Sequence, residues 1–252
     1  MRKILAIGNS FSEDATYYLH QTAKAAGIET KVVNLYIGGC SLERHWSNVE
    51  SGEAAYQYRI NGKMMDRYVS IQEMLREDTW DDIVTQQVSH DSGWLDSYEP
   101  FLGLLLGYLR QQAPKAQIWL HKTWAYDPNS THEHFMRYHR NQLEMYERLI
   151  KCYEYMAEKY QLPLIPSADI IQKLRSTEPF LMEAGGRSLC RDGFHMDFLY
   201  GRYALACIWL RALFQVPVKE NAYIPHTDLL PDEQADEKIL SVIRTTVDAY
   251  FV

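Results

Sequence analysis

Apolar residues along this chain fall into two alternating patterns, short runs and longer stretches with a helical period. Residues 3–7 form one short run, which stops at Gly8-Asn9-Ser10, and a helical pattern over 12–26 follows at once. A buried strand therefore leads straight into a helix, with Ser10 on the turn between them. The strand pattern returns over 29–36, 82–88, 116–123 and 162–166, and helical patterns cover 98–112, 130–160, 197–214 and 232–252. Capping boxes open two of the helical stretches, Ser130 with Glu133 and, ahead of a short helix ending near 77, Ser70 with Glu73. Asp197 stands where an N-cap is needed for the apolar helix over 197–214. Five strands alternating with helices imply a parallel sheet covered on both faces.

The segment over 43–80 is longer than a plain crossover needs. Inside it, Tyr56–Ile60 and Lys63-Met64-Met65 flank Asn61-Gly62, a strong signal for a two-residue hairpin. The expectation is one domain over 1–252, with a hairpin-bearing insertion at about 43–80 that lies beside the functional edge of the sheet.

Composition narrows the classes. With 46% hydrophobic and 23% charged residues, the 252-residue chain has the make-up of a soluble globular protein. A net charge of −7 argues against nucleic acid or an anionic membrane as the main partner. Cys40, Cys152, Cys190 and Cys207 have no CxxC spacing, so they read as reduced, buried thiols. No stretch approaches the roughly 20 apolar residues of a membrane span. The chain reads as cytoplasmic as it stands, or periplasmic or secreted if a signal peptide was removed. Its oligomeric state is not legible.

Candidate chemistry sits at the two ends. Ser10 lies at the carboxyl end of a strand, the edge at which open parallel sheets bind ligands. It reads either as the cap of the first helix, a role Ser12 could share, or as a nucleophile beside helix-start amides. Asp192-Gly193-Phe194-His195 just before the last long apolar helix shifts the balance to the second reading. A serine after the first strand and a late Asp-x-x-His together resemble the SGNH hydrolase (GDSL-like esterase) superfamily, in a divergent branch with Gly8-Asn9-Ser10-Phe11-Ser12 as its nucleophile block.

The resemblance implies a three-layer, flavodoxin-like α/β/α fold with a five-stranded parallel sheet in the order 2-1-3-4-5. It implies Ser10 as nucleophile, His195 as base, Asp192 as the carboxylate that orients His195, and an oxyanion hole from the amides of Ser10 and Gly39. The family's third block, usually Gly-x-Asn-Asp, is altered to Ser89-His90-Asp91-Ser92. Asp91 stands at the asparagine's place and would repel an oxyanion. The side-chain amide of Gln87 is the substitute donor, unless Gln86 and Gln87 are simply polar strand-end residues.

Arg44, His45, Trp46, His90, Asp91 and Trp124 are expected near the substrate. His132, His134 and His139 invite a metal, but residues two apart on a helix face different ways, so neither a metal nor another cofactor is implied. The partner would be a small-molecule or carbohydrate ester, with an O-acetyl group on a sugar favoured because Trp46, Trp94, Trp124 and Tyr126 fall in loops near the edge. Acyl transfer by the same residues, or a non-catalytic binding protein on the same fold, are the alternatives.

Overall fold

The structure, a computed structural model, describes residues 1–251. The chain runs through β1 (Arg2–Gly8), α1 (Ser10–Thr16), α2 (Leu19–Ala25), β2 (Thr30–Tyr36), α3 (Leu42–Ser51), β3 (Tyr56–Ile60), β4 (Lys63–Val69) and α4 (Ile71–Glu77). It continues through β5 (Asp82–Thr85), α5 (Phe101–Gln112), β6 (Gln117–His121), α6 (Gln142–Tyr160), β7 (Leu164–Ile165), α7 (Ser167–Arg175), α8 (Tyr200–Phe214) and α9 (Glu237–Tyr250). Short 3-10 turns lie at Leu95–Ser97, Glu133–Tyr138 and Met182–Ala184.

One mixed sheet organises these elements, in the order β4-β3-β2-β1-β5-β6-β7. This corrects the expected five strands: there are seven, in a different order. The two additional strands are the hairpin at Asn61-Gly62, which docks on the β2 edge rather than lying free as an insertion. β3 pairs antiparallel with β2, from Val33 opposite Ile60 to Tyr36 opposite Gln57. The buried rings of Tyr56 and Tyr58 anchor β3, so the edge of β2 is covered. Gly62 at the hairpin tip has φ +80, and a Cβ there would come 2.1 Å from the Tyr17 carbonyl oxygen, so only glycine fits. Among the parallel strands the succession is β2-β1-β5-β6-β7. β1 is central, with Ile4 to Ile7 fully buried, as a strand covered on both faces must be.

Helices α1, α2, α7, α8 and α9 pack on one another, and α3, α4 and α5 form a second group; the two groups flank the sheet. α8 touches α1, α2, α7 and α9 and is buried almost all round. Each of its fully buried leucines, Leu205 and Leu210, stabilises the fold by about 1.5–3 kcal/mol. No helix among the described residues is long and apolar enough to cross a membrane.

Three elements differ from the sequence expectation for identifiable reasons. The first helix breaks at Tyr17-Tyr18, where Tyr18 turns inward and its hydroxyl reaches the carbonyls of Phe198 and His226 at 2.8 and 3.0 Å. The stretch over 130–160 splits at His139-Arg140, both at positive φ, and Asn141 caps the true helix α6 by accepting from the Glu144 amide. β5 stops at Thr85, the last residue in register with β1 at Ile7 and with β6 at Leu120, so Gln86 and Gln87 lie beyond the ladder. Val252, the last residue of the expected tail helix, lies outside the described residues.

Candidate active site

The β1–α1 turn is built so that Ser10 has its hydroxyl to spare. Gly8 is required at the end of β1, since a Cβ there would lie 2.4 Å from Ser12 Oγ. Asn9, not a serine, is the N-cap: its Oδ1 accepts from the Phe11 amide at 3.0 Å. Its Nδ2 donates to the Cys40 carbonyl at 3.0 Å, which ties the turn to the loop after β2. Ser12 Oγ lies 2.8 Å from the Asn9 carbonyl and 2.7 Å from Asn34 Oδ1, inside the core. Ser10 is therefore the first helical residue, with its amide lacking a helical acceptor.

The late loop meets it. His195 Nε2 stands 2.8 Å from Ser10 Oγ, and His195 Nδ1 stands 2.7 Å from Asp192 Oδ2. Asp192 Oδ1 accepts from the amides of Phe194 and His195 at 3.1 and 2.7 Å, which fixes the carboxylate beneath the ring. Partial burial opposes ionisation of Asp192, but the hydrogen bonds from the His195 ring and amide, the ring's charge and the Phe194 amide outweigh it, and its pKa is pushed down to about 2. Gly193 has φ +85, and a Cβ there would come 2.8 Å from Ser130 Cα. The Asp127 amide donates to the Gly193 carbonyl at 2.7 Å, and Trp124 Nε1 donates to the Phe194 carbonyl at 2.7 Å.

Ser10 and His195 open into a pocket of about 320 Å³, bounded by Asn9, Phe11, Tyr36, Gly38 and Gly39 on one side and by Val88, Ser89, His90, His132, Glu133, His134 and Phe194 on the other. The rings of His90 and His134 stack at 4.4 Å, with His132 5.9 Å from His90. Desolvation, with mutual repulsion adding to it, lowers the pKa of His90 and His132, so both favour the neutral ring. Among the described residues no group of three or more His, Cys, Asp or Glu is placed to hold a metal ion.

Residues 3–236 match the family described as "Domain of unknown function (DUF4886)". The chain belongs to the DUF4886 family. A DUF4886 protein of known crystal structure from Bacteroides uniformis is 36% identical, with 99% of this chain and 94% of that one covered at a TM-score of 0.89. More distant structures share the fold. A candidate SGNH hydrolase from Slackia heliotrinireducens is 19% identical over 84% of this chain and 98% of its own, with a TM-score of 0.58. Axe2, an acetylxylan esterase from Geobacillus stearothermophilus, is 15% identical over 84% of this chain and 94% of its own, at 0.57. No curated protein matches. The DUF4886 chain thus shares its fold with these two proteins.

Several expected site residues of this DUF4886 protein lie elsewhere. Gln87 is buried with its amide fully used: Nε2 donates to the Ser97 carbonyl at 2.7 Å and to Ser97 Oγ at 3.0 Å, and Oε1 accepts from the amides of Leu42 and Val88 at 3.0 and 2.8 Å. It has no donor left for an oxyanion. Asp91 turns away from the pocket to pair with Arg137. Arg44 is exposed, 3.8 Å from Glu53. His45 is fully buried 2.9 Å from the Tyr56 hydroxyl, and desolvation pushes its pKa down to about 3, so it is a neutral core residue. Trp46 packs on the core, and Trp124 is buried with its ring stacked on Phe11 at 4.1 Å.

Gly39 and His90 do line the pocket. Sequence reasoning missed Tyr36, Phe194 and the pocket role of His132 and His134. Tyr36 was signalled by its place at the end of β2, two residues before the glycines. The histidines were read on a helical period, which a 3-10 turn at Glu133–Tyr138 and the break at His139 replace.

Proposed function

We propose that the protein is a serine esterase that hydrolyses carboxylic esters through Ser10, His195 and Asp192. One observation carries this reading: an unbroken hydrogen-bonded chain from Ser10 Oγ through both nitrogens of His195 to Asp192, opening on a pocket. With Asp192 ionised, the His195 tautomer carries its proton on Nδ1, which leaves Nε2 to accept the Ser10 proton. As Oγ attacks the ester carbonyl, His195 takes that proton and then returns it to the departing alcohol. Asp192 stabilises the imidazolium between these steps. Water, activated by the same ring, then attacks the acyl-enzyme, and Ser10 is regenerated.

The oxyanion of each tetrahedral intermediate is held by the amides of Ser10 and Gly39. Both residues line the pocket, and Gly39 has φ +62 with an N–H engaged in no hydrogen bond among the described residues. With Gln87 spent on its neighbours, the hole has two amides.

The preferred substrate is an O-acetyl ester of a sugar or another small alcohol. The pocket is compact, and the neutral rings of His90 and His132 with the Tyr36 hydroxyl offer donors and acceptors to hydroxyl-bearing groups. The fold shared with an acetylxylan esterase is compatible with this choice. A chromogenic acetyl ester tests the activity, and acetylated sugars set against longer acyl esters test the substrate. Ser10→Ala is expected to lower turnover by several orders of magnitude with the fold intact; an alanine variant as active as the parent would end the proposal.

A further inference from the structure

The loop that carries His195 is closed by a single β-bridge, Cys190 opposite Met196, yet the Ser10–His195 contact requires it to be held in place against α1 within a fraction of an ångström. Asp14 is placed to do this. It lies on α1 four residues after Ser10, one helical turn along the same face. Its carboxylate is fully buried and accepts from three donors. The Met196 amide reaches Oδ2 at 2.9 Å, Arg191 Nη1 lies 3.1 and 3.2 Å from the two oxygens, and Arg202 Nε reaches Oδ1 at 2.8 Å.

Two of these partners are the ends of the His195 loop. Arg191 begins it, and its amide donates to the His195 carbonyl at 2.9 Å while its guanidinium also bonds the Met196 carbonyl. Met196 follows His195 directly. The third partner, Arg202, is buried on α8, 4.1 Å over the Tyr17 ring.

Burying a carboxylate among guanidinium groups brings little net stability compared with apolar packing of the same volume. What the charge supplies that apolar packing lacks is direction. A carboxylate accepting from one particular amide fixes the loop's height along α1. We infer that Asp14, through Arg191 and the Met196 amide, is a positioning residue that sets His195 against Ser10. The inference rests on the esterase reading above for its kinetic consequence, though not for its geometry. A separate anchor, the Asp127 amide on the Gly193 carbonyl together with the Arg175–Asp127 ion pair at 2.5 Å, keeps the loop attached when the clamp is cut.

Arg191→Ala is the decisive variant, because the Arg191 side chain is 23% exposed and its loss leaves Asp14 paired with Arg202. Its kcat on a chromogenic acetyl ester is expected to fall about 10²-fold, the scale of an ångström-size misplacement, with KM changed less than twofold. Added guanidinium should restore a measurable part of kcat in Arg191→Ala and do nothing for Ser10→Ala. A crystal structure of the variant should have Ser10 Oγ and His195 Nε2 beyond hydrogen-bond distance. Asp14→Asn, if it folds, should act in the same direction. An Arg191→Ala protein that retains the Ser10–His195 contact and full kcat overturns the clamp. Should the parent hydrolyse no ester, the esterase reading fails, and the Ser10–His195 distance in the variant still decides the clamp.

Discussion

Two turns at the carboxyl edge of the sheet are both polar and do opposite things. After β1, Gly8-Asn9-Ser10 uses glycine for space and asparagine for capping, so the serine hydroxyl is left for His195. After β5, Gln86 and Gln87 are just as polar and just as close, yet both turn inward. Gln86 Nε2 donates to Asn9 Oδ1 at 2.9 Å, and its Oε1 accepts from His121 Nδ1 at 2.6 Å, while Ser167 completes the buried chain at His121 Nε2. Desolvation lowers the His121 pKa to about 3, so the ring is neutral and its two nitrogens play donor and acceptor. Position at a sheet edge nominates a residue; what its donors and acceptors are already doing decides whether it is free to act.

The largest effects belong to the first turn and the loop that meets it. His195→Ala is expected to cost several orders of magnitude in kcat, because the ring moves the proton directly. Asp192→Asn should cost less, since the Asp192 side chain orients the ring and transfers nothing. Measuring kcat for both at matched pH tests the order; an unaffected His195→Ala enzyme would move the base elsewhere, with His90 the first residue to try.

The second turn should respond in stability and not in rate. Gln87→Ala strips the partner from the Leu42 and Val88 amides, and each buried group left unpaired costs about 1–3 kcal/mol. Thermal unfolding should register that loss, while kcat on the acetyl ester changes by less than tenfold. A fall in kcat of about 10²–10³ with Tm unchanged is the signature of a lost oxyanion donor, and would put Gln87 back into the hole.

Asn9 joins the two turns, and Asn9→Ala probes the join. Loss of the cap alone costs about 0.5–2 kcal/mol. The Cys40 carbonyl and Gln86 Nε2 also lose their partner, so the Gly39 loop and the Gln86–His121 chain are loosened together. Unfolding by denaturant should detect this, and a variant as stable as the parent would mean that the cap and the bonds to Cys40 and Gln86 bring no net stability.

Much of this edge was legible in the sequence, for local reasons. The turn after β1 announced itself because glycine, a polar cap and an apolar strand are neighbours in the chain. Asp192, Gly193 and His195 were equally plain, since an Asp-x-x-His unit carries its own hydrogen bonds to its own amides. Gln87, His45 and Trp124 were misread because their roles depend on residues 10 to 70 positions away, such as Ser97, Tyr56 and Phe194. The hairpin was recognised at Asn61-Gly62, but its docking on β2 rests on the long-range fit of Tyr56, Tyr58 and Gly62. Asp14 was silent for the same reason: its partners lie 177 to 188 residues downstream.

The smallest expected effect concerns the charge on Asp192. Its folded pKa of about 2 lies below its ordinary value of 3.8, so the ionised form is favoured more in the folded state than in the unfolded one. A group depressed in this way contributes stability above the unfolded value, and loses it as pH falls through the folded one. The Asp192 contribution should therefore be whole at neutral pH and fade between about 3.8 and 2. The side chain is 39% exposed, so solvent screening keeps the contribution modest. Comparing Tm for the parent and Asp192→Asn at pH 7 and again near the lower end of that window isolates the effect. The gap between the two proteins should narrow in acid, whereas Gln87→Ala, which carries no charge change, should stay displaced by the same amount at both pH values. A gap for Asp192→Asn that held constant would mean that the amides of Phe194 and His195 hold the loop equally well against a neutral side chain.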